Sequence, residues 1–269
     1  MDLKTQALFE QLARSPVEGV LGVVDARGAS GVKSQSDTPW MLQFAFDGWR
    51  ITDADVQIEP LTIRRQVTKE ELASLRATIV PYSVLHIRAR IVRDSSVGSP
   101  QALLETIVAL DAVDAALCER ARQLQEPVTH EDTVFGTLTL DRRLDWYTAK
   151  AMWIGTPVKV RFSVEASGGL EAALETGHAL WQQQATWDRR IRDYAVAKLL
   201  PLKNDAWLDE EEVELSADEF CGRMTLAAVT AHPDGSFEFW HDDGDLFYGH
   251  SIYIRGSLSG GPNRADIPG

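Results

Sequence analysis

What most constrains the fold of this 269-residue chain is where its two hydrophobic periods fall. Alternation with period two, the mark of a half-buried strand, comes in blocks, and helical spacing follows those blocks. In "SVLHIRARIV" (83–92), Leu85, Ile87, Ala89 and Ile91 alternate with His86, Arg88 and Arg90. "VFGTLTLDRRLDWYTAKAMWIGTPVKVRFSVE" (134–165) reads as a three-stranded meander turning at Gly155-Thr156-Pro157. Only after it comes a helical stretch, 170–200, with Leu180, Trp187, Ile191 and Tyr194 on one face. Strands in runs that then yield to helices predict an α+β fold rather than repeated βαβ units. A chain of this length also suggests two domains at about 150 residues each. The expectation is two lobes, 1–125 and 134–269, each an antiparallel sheet packed with helices. The polar, proline-bearing "QEPVTHED" (125–132) would join them.

Local signals fill in this plan. Leu3, Ala7, Leu8 and Leu12 recur at helical spacing, and Thr68 with Glu71 forms a capping box for a second helix. "WMLQFAFDGWRIT" (40–52) reads as two strands around an Asp47-Gly48 hairpin turn, and "ADVQIEPLTIRRQ" (54–66) as another strand. A longer helix is predicted from near Pro100, striped by Leu103, Ile107, Leu110, Leu117, Ala121 and Leu124. Ser216 and Glu219 make another capping box, and hairpins are expected at Pro233-Asp234-Gly235 and Asp242-Asp243-Gly244. The return strand of the last hairpin would place Leu246, Tyr248, His250, Ile252 and Ile254 on one face, ahead of a frayed glycine-rich tail.

The net charge of −13 argues against nucleic acid or an anionic membrane as a partner, because both would repel it. That charge is local. Thirteen acids and one base, Arg223, lie between Lys203 and Arg255, so this stretch carries −12. Two distant cysteines, Cys118 and Cys221, exclude a cysteine-based zinc site and suit a reducing compartment. With a polar N-terminus and no long apolar run, the expectation is a cytoplasmic protein.

No phosphate-binding glycine loop, nucleophile elbow or HExxH occurs, so no catalytic residue, metal ligand or cofactor is assigned. His241, Asp243, Asp245 and His250 are acceptable metal ligands, but their spacing follows turn chemistry and not an EF-hand loop. The alternative they support is a metal-dependent hydrolase. The residues expected to bind a partner are Asp205, Trp207, Asp209, Glu210, Glu211, Glu212, Asp242, Asp243 and Asp245. A tryptophan beside a carboxylate run combines a hot-spot anchor with electrostatic steering.

Three ordered segments carry a family resemblance: Leu140, Asp141, Trp146 and Gly155; then Lys198, Leu199, Leu200, Asn204 and Trp207; then Asp234, Gly235, Asp243, Gly244, Asp245, Phe247, Gly249 and His250. Over roughly 134–256 the chain resembles a bacterial family catalogued as domain of unknown function 2262. That resemblance implies no activity. By analogy with other small acidic bacterial domains, the expected function is a non-enzymatic, immunity-type inhibitor of a cognate, basic toxin. A housekeeping binding module is the remaining alternative.

Overall fold

A computed structural model describes residues 3–33, 39–95, 97–164, 168–209 and 212–268. The protein is α+β, and its contacts divide it into two compact units, 1–126 and 127–269. Among the described residues, no helix is long and apolar enough to cross a membrane.

The first unit contains α1 (Leu3–Arg14), β1 (Val17–Val24), β2 (Ser30–Val32), β3 (Trp40–Ile51), β4 (Leu61–Val67), α2 (Lys69–Thr78), β5 (Val84–Val92), β6 (Gln101–Ala109) and α3 (Ala115–Gln125). β1 pairs with both β3 and β5, so the order β1-β5-β6-β4-β3 closes on itself. This five-stranded ring, with a helix between its third and fourth barrel strands, has the plan of an OB-type Greek-key barrel. Leu42, Phe44, Phe46, Ile63, Ile87 and Leu104 fill it. A fold of this kind assigns no ligand by itself.

Two expectations fail in this unit. Asp47-Gly48 is not a hairpin turn, because β3 runs unbroken through it for twelve residues. One edge of β3 is shared: Met41–Gln43 pair with β2, and 46–51 pair with β1. Between Val24↔Phe46 and Gly22↔Trp49, the pair Asp47 and Gly48 oppose Val23 alone, which makes a bulge. Gly48 takes φ 149°, and the Asp47 carbonyl accepts from Arg120 Nε at 3.0 Å. Equally, the helix predicted from Pro100 begins only at Ala115, with Asp114 Oδ1 capping Leu117 N–H at 3.0 Å. Residues 101–109 instead form β6, whose inward Ala102 and Leu104 the helical reading passed over. The Thr68–Glu71 capping box is present as expected.

In the second unit come β7 (Thr129–Asp132), β8 (Gly136–Asp141), β9 (Trp146–Trp153), β10 (Thr156–Ser163), α4 (Gly169–Gln182), α5 (Gln184–Ala206), α6 (Ala217–Arg223), β11 (Thr225–Ala231), β12 (Ser236–Asp242), β13 (Ile252–Ser257) and β14 (Gly261–Asp266). They form one eight-stranded sheet in the order β14-β13-β12-β11-β10-β9-β8-β7. Its inward side chains, among them Val160, Phe162, Val229, Phe237 and Phe239, pack with Leu180, Trp187, Ile191 and Leu199 of α4 and α5. The meander and the Pro233–Gly235 turn fall where expected. The tail is not frayed, since β14 pairs with β13. The strand expected over 246–254 starts only at Ile252, because 243–251 is a folded loop.

Neither sheet is purely antiparallel, which corrects the sequence expectation. β4 pairs with β6 in parallel, and β10 with β11. A parallel neighbour needs a crossover, supplied by α2 and β5 in the first unit and by α4–α6 in the second.

Barrel closure gives a stability prediction. A Cβ on Gly22 would overlap the ring of Phe46, which is fully buried. Gly22→Ala is therefore expected to cost about 1–3 kcal/mol, read from the denaturant midpoint of the first unit. An unchanged midpoint would show that β1 does not close on Phe46.

Candidate functional site

The predicted partner-binding residues divide between the end of α5 with its following segment and the 243–251 loop. At the helix end, Lys203 is fully buried, and its Nζ donates to the Trp207 carbonyl at 2.6 Å and to Glu212 Oε2. A cation folded under a helix C-terminus meets carbonyls that have no intrahelical partner. Arg223 Nη1 donates to the other Glu212 oxygen at 3.0 Å. The hydrogen bond from Lys203, aided by that from Arg223, holds the Glu212 carboxyl below the usual carboxylate range. Asn204 ties down the returning chain, with Nδ2 donating to the Leu215 carbonyl and Oδ1 accepting from Leu215 N–H, both at 3.0 Å.

Asp243 organises the loop. Its buried carboxylate accepts through Oδ2 from Phe247 N–H at 2.7 Å and from Gly249 N–H at 3.1 Å. The backbone around it is strained: Asp245 and Tyr248 take φ 63° and 55°, with Gly244 at 53° and Gly249 at 84°. Gly244 is required twice over, because a Cβ there would also come within 2.5 Å of the Arg223 carbonyl oxygen. Leu246 and Phe247 are driven into the core while Tyr248, 59% exposed, stands out.

The two segments meet at Trp207. Its ring lies 5.5 Å from Phe247, 5.4 Å from Tyr248 and 5.8 Å from His250, centroid to centroid. Tyr248 Oη donates to Asp209 Oδ1 at 3.1 Å, and this bond raises the phenol's pKa. Trp207, Tyr248 and Asp209 thus form a preset aromatic and carboxylate patch on strained backbone, a combination that concentrates at functional sites.

The predicted acids have divergent roles. Asp205, Asp209, Asp242 and Asp245 are exposed. Asp243 and Glu212 are structural, and Glu210 and Glu211 lie outside the described residues. Elsewhere in the same stretch, Glu219 caps α6, Asp234 accepts from Ser236, and Glu238 accepts from Trp240 and Tyr253. Sequence reasoning missed Lys203, Arg223 and Tyr248. A lysine in the last turn of a helix was the available signal for the first.

The four residues of the metal alternative serve separate purposes. His241 is buried on the inward face of β12, Asp243 is spent on backbone amides, Asp245 is exposed in a left-handed turn, and His250 lies against Trp207. Among the described residues, no three of His, Cys, Asp and Glu gather as a metal site.

Fold and site together define an α+β protein of two sheet-built units, the second carrying an acid-fringed aromatic loop. The chain belongs to the family described as "Uncharacterized protein conserved in bacteria (DUF2262)", whose model matches residues 132–267. A second model, "Domain of unknown function (DUF7021)", matches residues 5–124. No curated protein matches the chain. Among solved structures, one described by the words "Structural mimicry for functional antagonism" is similar at 10% identity and a TM-score of 0.22, covering 57% of this chain and 75% of that one.

Two outcomes follow. Glu212→Gln leaves the buried Lys203 ammonium without its counter-charge and should cost about 3 kcal/mol, whereas adding Lys203→Met should recover most of it. Denaturant titration of the three proteins checks this, and a double variant no better than the single would refute the coupling. Separately, burial pushes the His241 pKa down to about 4, with the Arg192 charge acting the same way. The unfolded chain takes up this proton near pH 6.5 and the folded protein does not. Stability is therefore complete above about pH 6.5 and falls as the pH drops toward 4, by about 2 kcal/mol near pH 5. His241→Leu should abolish that part of the pH dependence, which unfolding titrations at the two pH values would reveal.

Proposed function

We propose that this protein is a non-enzymatic binding protein, an immunity-type inhibitor that neutralises a cognate, basic, nuclease-like bacterial toxin by direct contact in the cytoplasm. The observation that carries this reading is the exposed Tyr248, tilted against Trp207 and bonded to Asp209 on a loop locked by Asp243. Tyrosine and tryptophan are the side chains most often found as binding hot spots, and a rigid anchor loses little entropy on docking. Around it, Asp205, Asp209, Asp242 and Asp245 remain exposed to attract a basic surface. Such charges act over about one Debye length, ~8 Å at physiological salt, and chiefly speed encounter. The two free cysteines accord with a reducing compartment.

Structure changes which acids test this idea. Neutralising Glu212 would expose the Lys203 pair to failure, so the informative variant is Asp205, Asp209, Asp242 and Asp245 together replaced by Asn. Asn tolerates the left-handed backbone at Asp245. Stopped-flow association with the cognate basic toxin should slow about tenfold at low salt and lose salt dependence, while Glu70→Gln in the first unit should have little effect. An unchanged rate and salt slope would sink the proposal.

A further inference from the structure

A cleft of about 240 Å³ opens in the second unit, walled by the β9–β10 turn, α5 and the junction of α6 with β11. Its polar wall is built by a relay of hydrogen bonds. Trp153 Nε1 donates to Asp188 Oδ1 at 3.2 Å, and Asp188 Oδ2 accepts from Arg192 Nε at 2.9 Å. Arg192 Nη1 donates to the Cys221 carbonyl at 2.7 Å. The guanidinium is thereby fixed against Asp188 and Cys221, whose thiol it also meets. Thr156 and Thr225 line the same cleft, and their exposed hydroxyls have no hydrogen-bond partner among the described residues. Trp153, Met224 and Leu226 supply an apolar wall.

One further side chain bears on the cleft's charge. Leu226 pairs directly with His241, whose ring is 1% exposed and whose Nδ1 is buried without a partner. Both Asp188 and Arg192 act electrostatically on this imidazole, so it lies close to the pair. It is uncharged at neutral pH. The cleft therefore presents one fixed anion and one fixed cation side by side, and no third charge.

That pattern selects its ligand. Asp188 repels a simple anion, and Arg192 repels a simple cation. A molecule bearing both charges on groups joined through one carbon satisfies each, and charge-assisted hydrogen bonds make the match selective. The volume equals roughly eight waters at about 30 Å³ each, which suits a small ligand of about a dozen non-hydrogen atoms. We infer that this cleft binds a free α-amino acid with an apolar side chain. Its carboxylate would meet Arg192 and the threonine hydroxyls, its ammonium would meet Asp188, and its side chain would lie against Trp153 and Met224. None of these residues belongs to the acidic set of the inhibitor reading, so either can fail without the other.

Isothermal titration calorimetry on the full chain tests this with L-leucine and L-phenylalanine. Leucinamide, which lacks the carboxylate, and 4-methylpentanoate, which lacks the ammonium, serve as probes. At least one amino acid is expected to bind with a Kd below about 10 mM, and both truncated probes should bind about tenfold more weakly or not at all. Arg192→Gln should abolish binding, but it also releases the Cys221 carbonyl and could perturb the fold. Thr225→Val, at an exposed side chain, avoids that problem and should weaken binding several-fold with an unchanged unfolding midpoint. The inference is overturned if neither amino acid binds, if either probe binds as tightly, or if Thr225→Val leaves the affinity unchanged.

Discussion

The loop that carries the candidate site depends on a lysine with no access to water. Burying the Lys203 ammonium is expensive unless it is both paired and hydrogen-bonded, and Glu212 with the Trp207 carbonyl meets both needs. One cation thereby closes the C-terminus of α5, fixes the backbone of Trp207, and draws the acidic segment back toward the helix. Arg223 takes the remaining Glu212 oxygen and links the same centre to the end of α6. Gly244 packs directly on the Arg223 carbonyl, so the 243–251 loop is built against that corner. The Trp207 ring then packs against Phe247, Tyr248 and His250.

This arrangement changes the meaning of the acidic run. Concentrated negative charge ordinarily marks a solvated surface, and mutual repulsion makes it costly. Here several of the carboxylates are committed to specific partners: Glu212 to two cations, Asp243 to two backbone amides, Glu219 to a cap and Asp234 to a turn. Hydrogen bonding to the ionised form favours it, which is why Glu212, Glu219 and Asp234 are held below the ordinary carboxylate range. Of the described acids expected to bind a partner, Asp205, Asp209, Asp242 and Asp245 stay exposed.

The two units solve different problems with mixed sheets. The first closes its strands into a ring, which removes most free edges, and it uses the Asp47-Gly48 bulge to let one long strand serve two neighbours. The second leaves its sheet open and covers one face with α4 and α5. Along β10 and β11 the parallel register places Arg161 opposite Thr230, and the three helices between them form the crossover.

Local chemistry determined what the sequence could show by itself. Capping boxes at Thr68–Glu71 and Ser216–Glu219, the Pro233–Gly235 turn and the β8–β10 meander all rest on residues close together in the chain. The α+β class followed from the order of periodicities. Tertiary structure decided everything that rests on contacts distant in sequence. Asp47-Gly48 became a bulge because β1 and β2 share an edge of β3. Residues 101–109 became a strand because β4 and β5 were there to pair with it. Asp243 became a loop organiser because folding placed the Phe247 and Gly249 amides around its carboxylate. No spacing rule reveals that Lys203, Glu212 and Arg223 meet, because their encounter depends on α5 and α6 packing together and on the energetic demand of a buried charge for a partner.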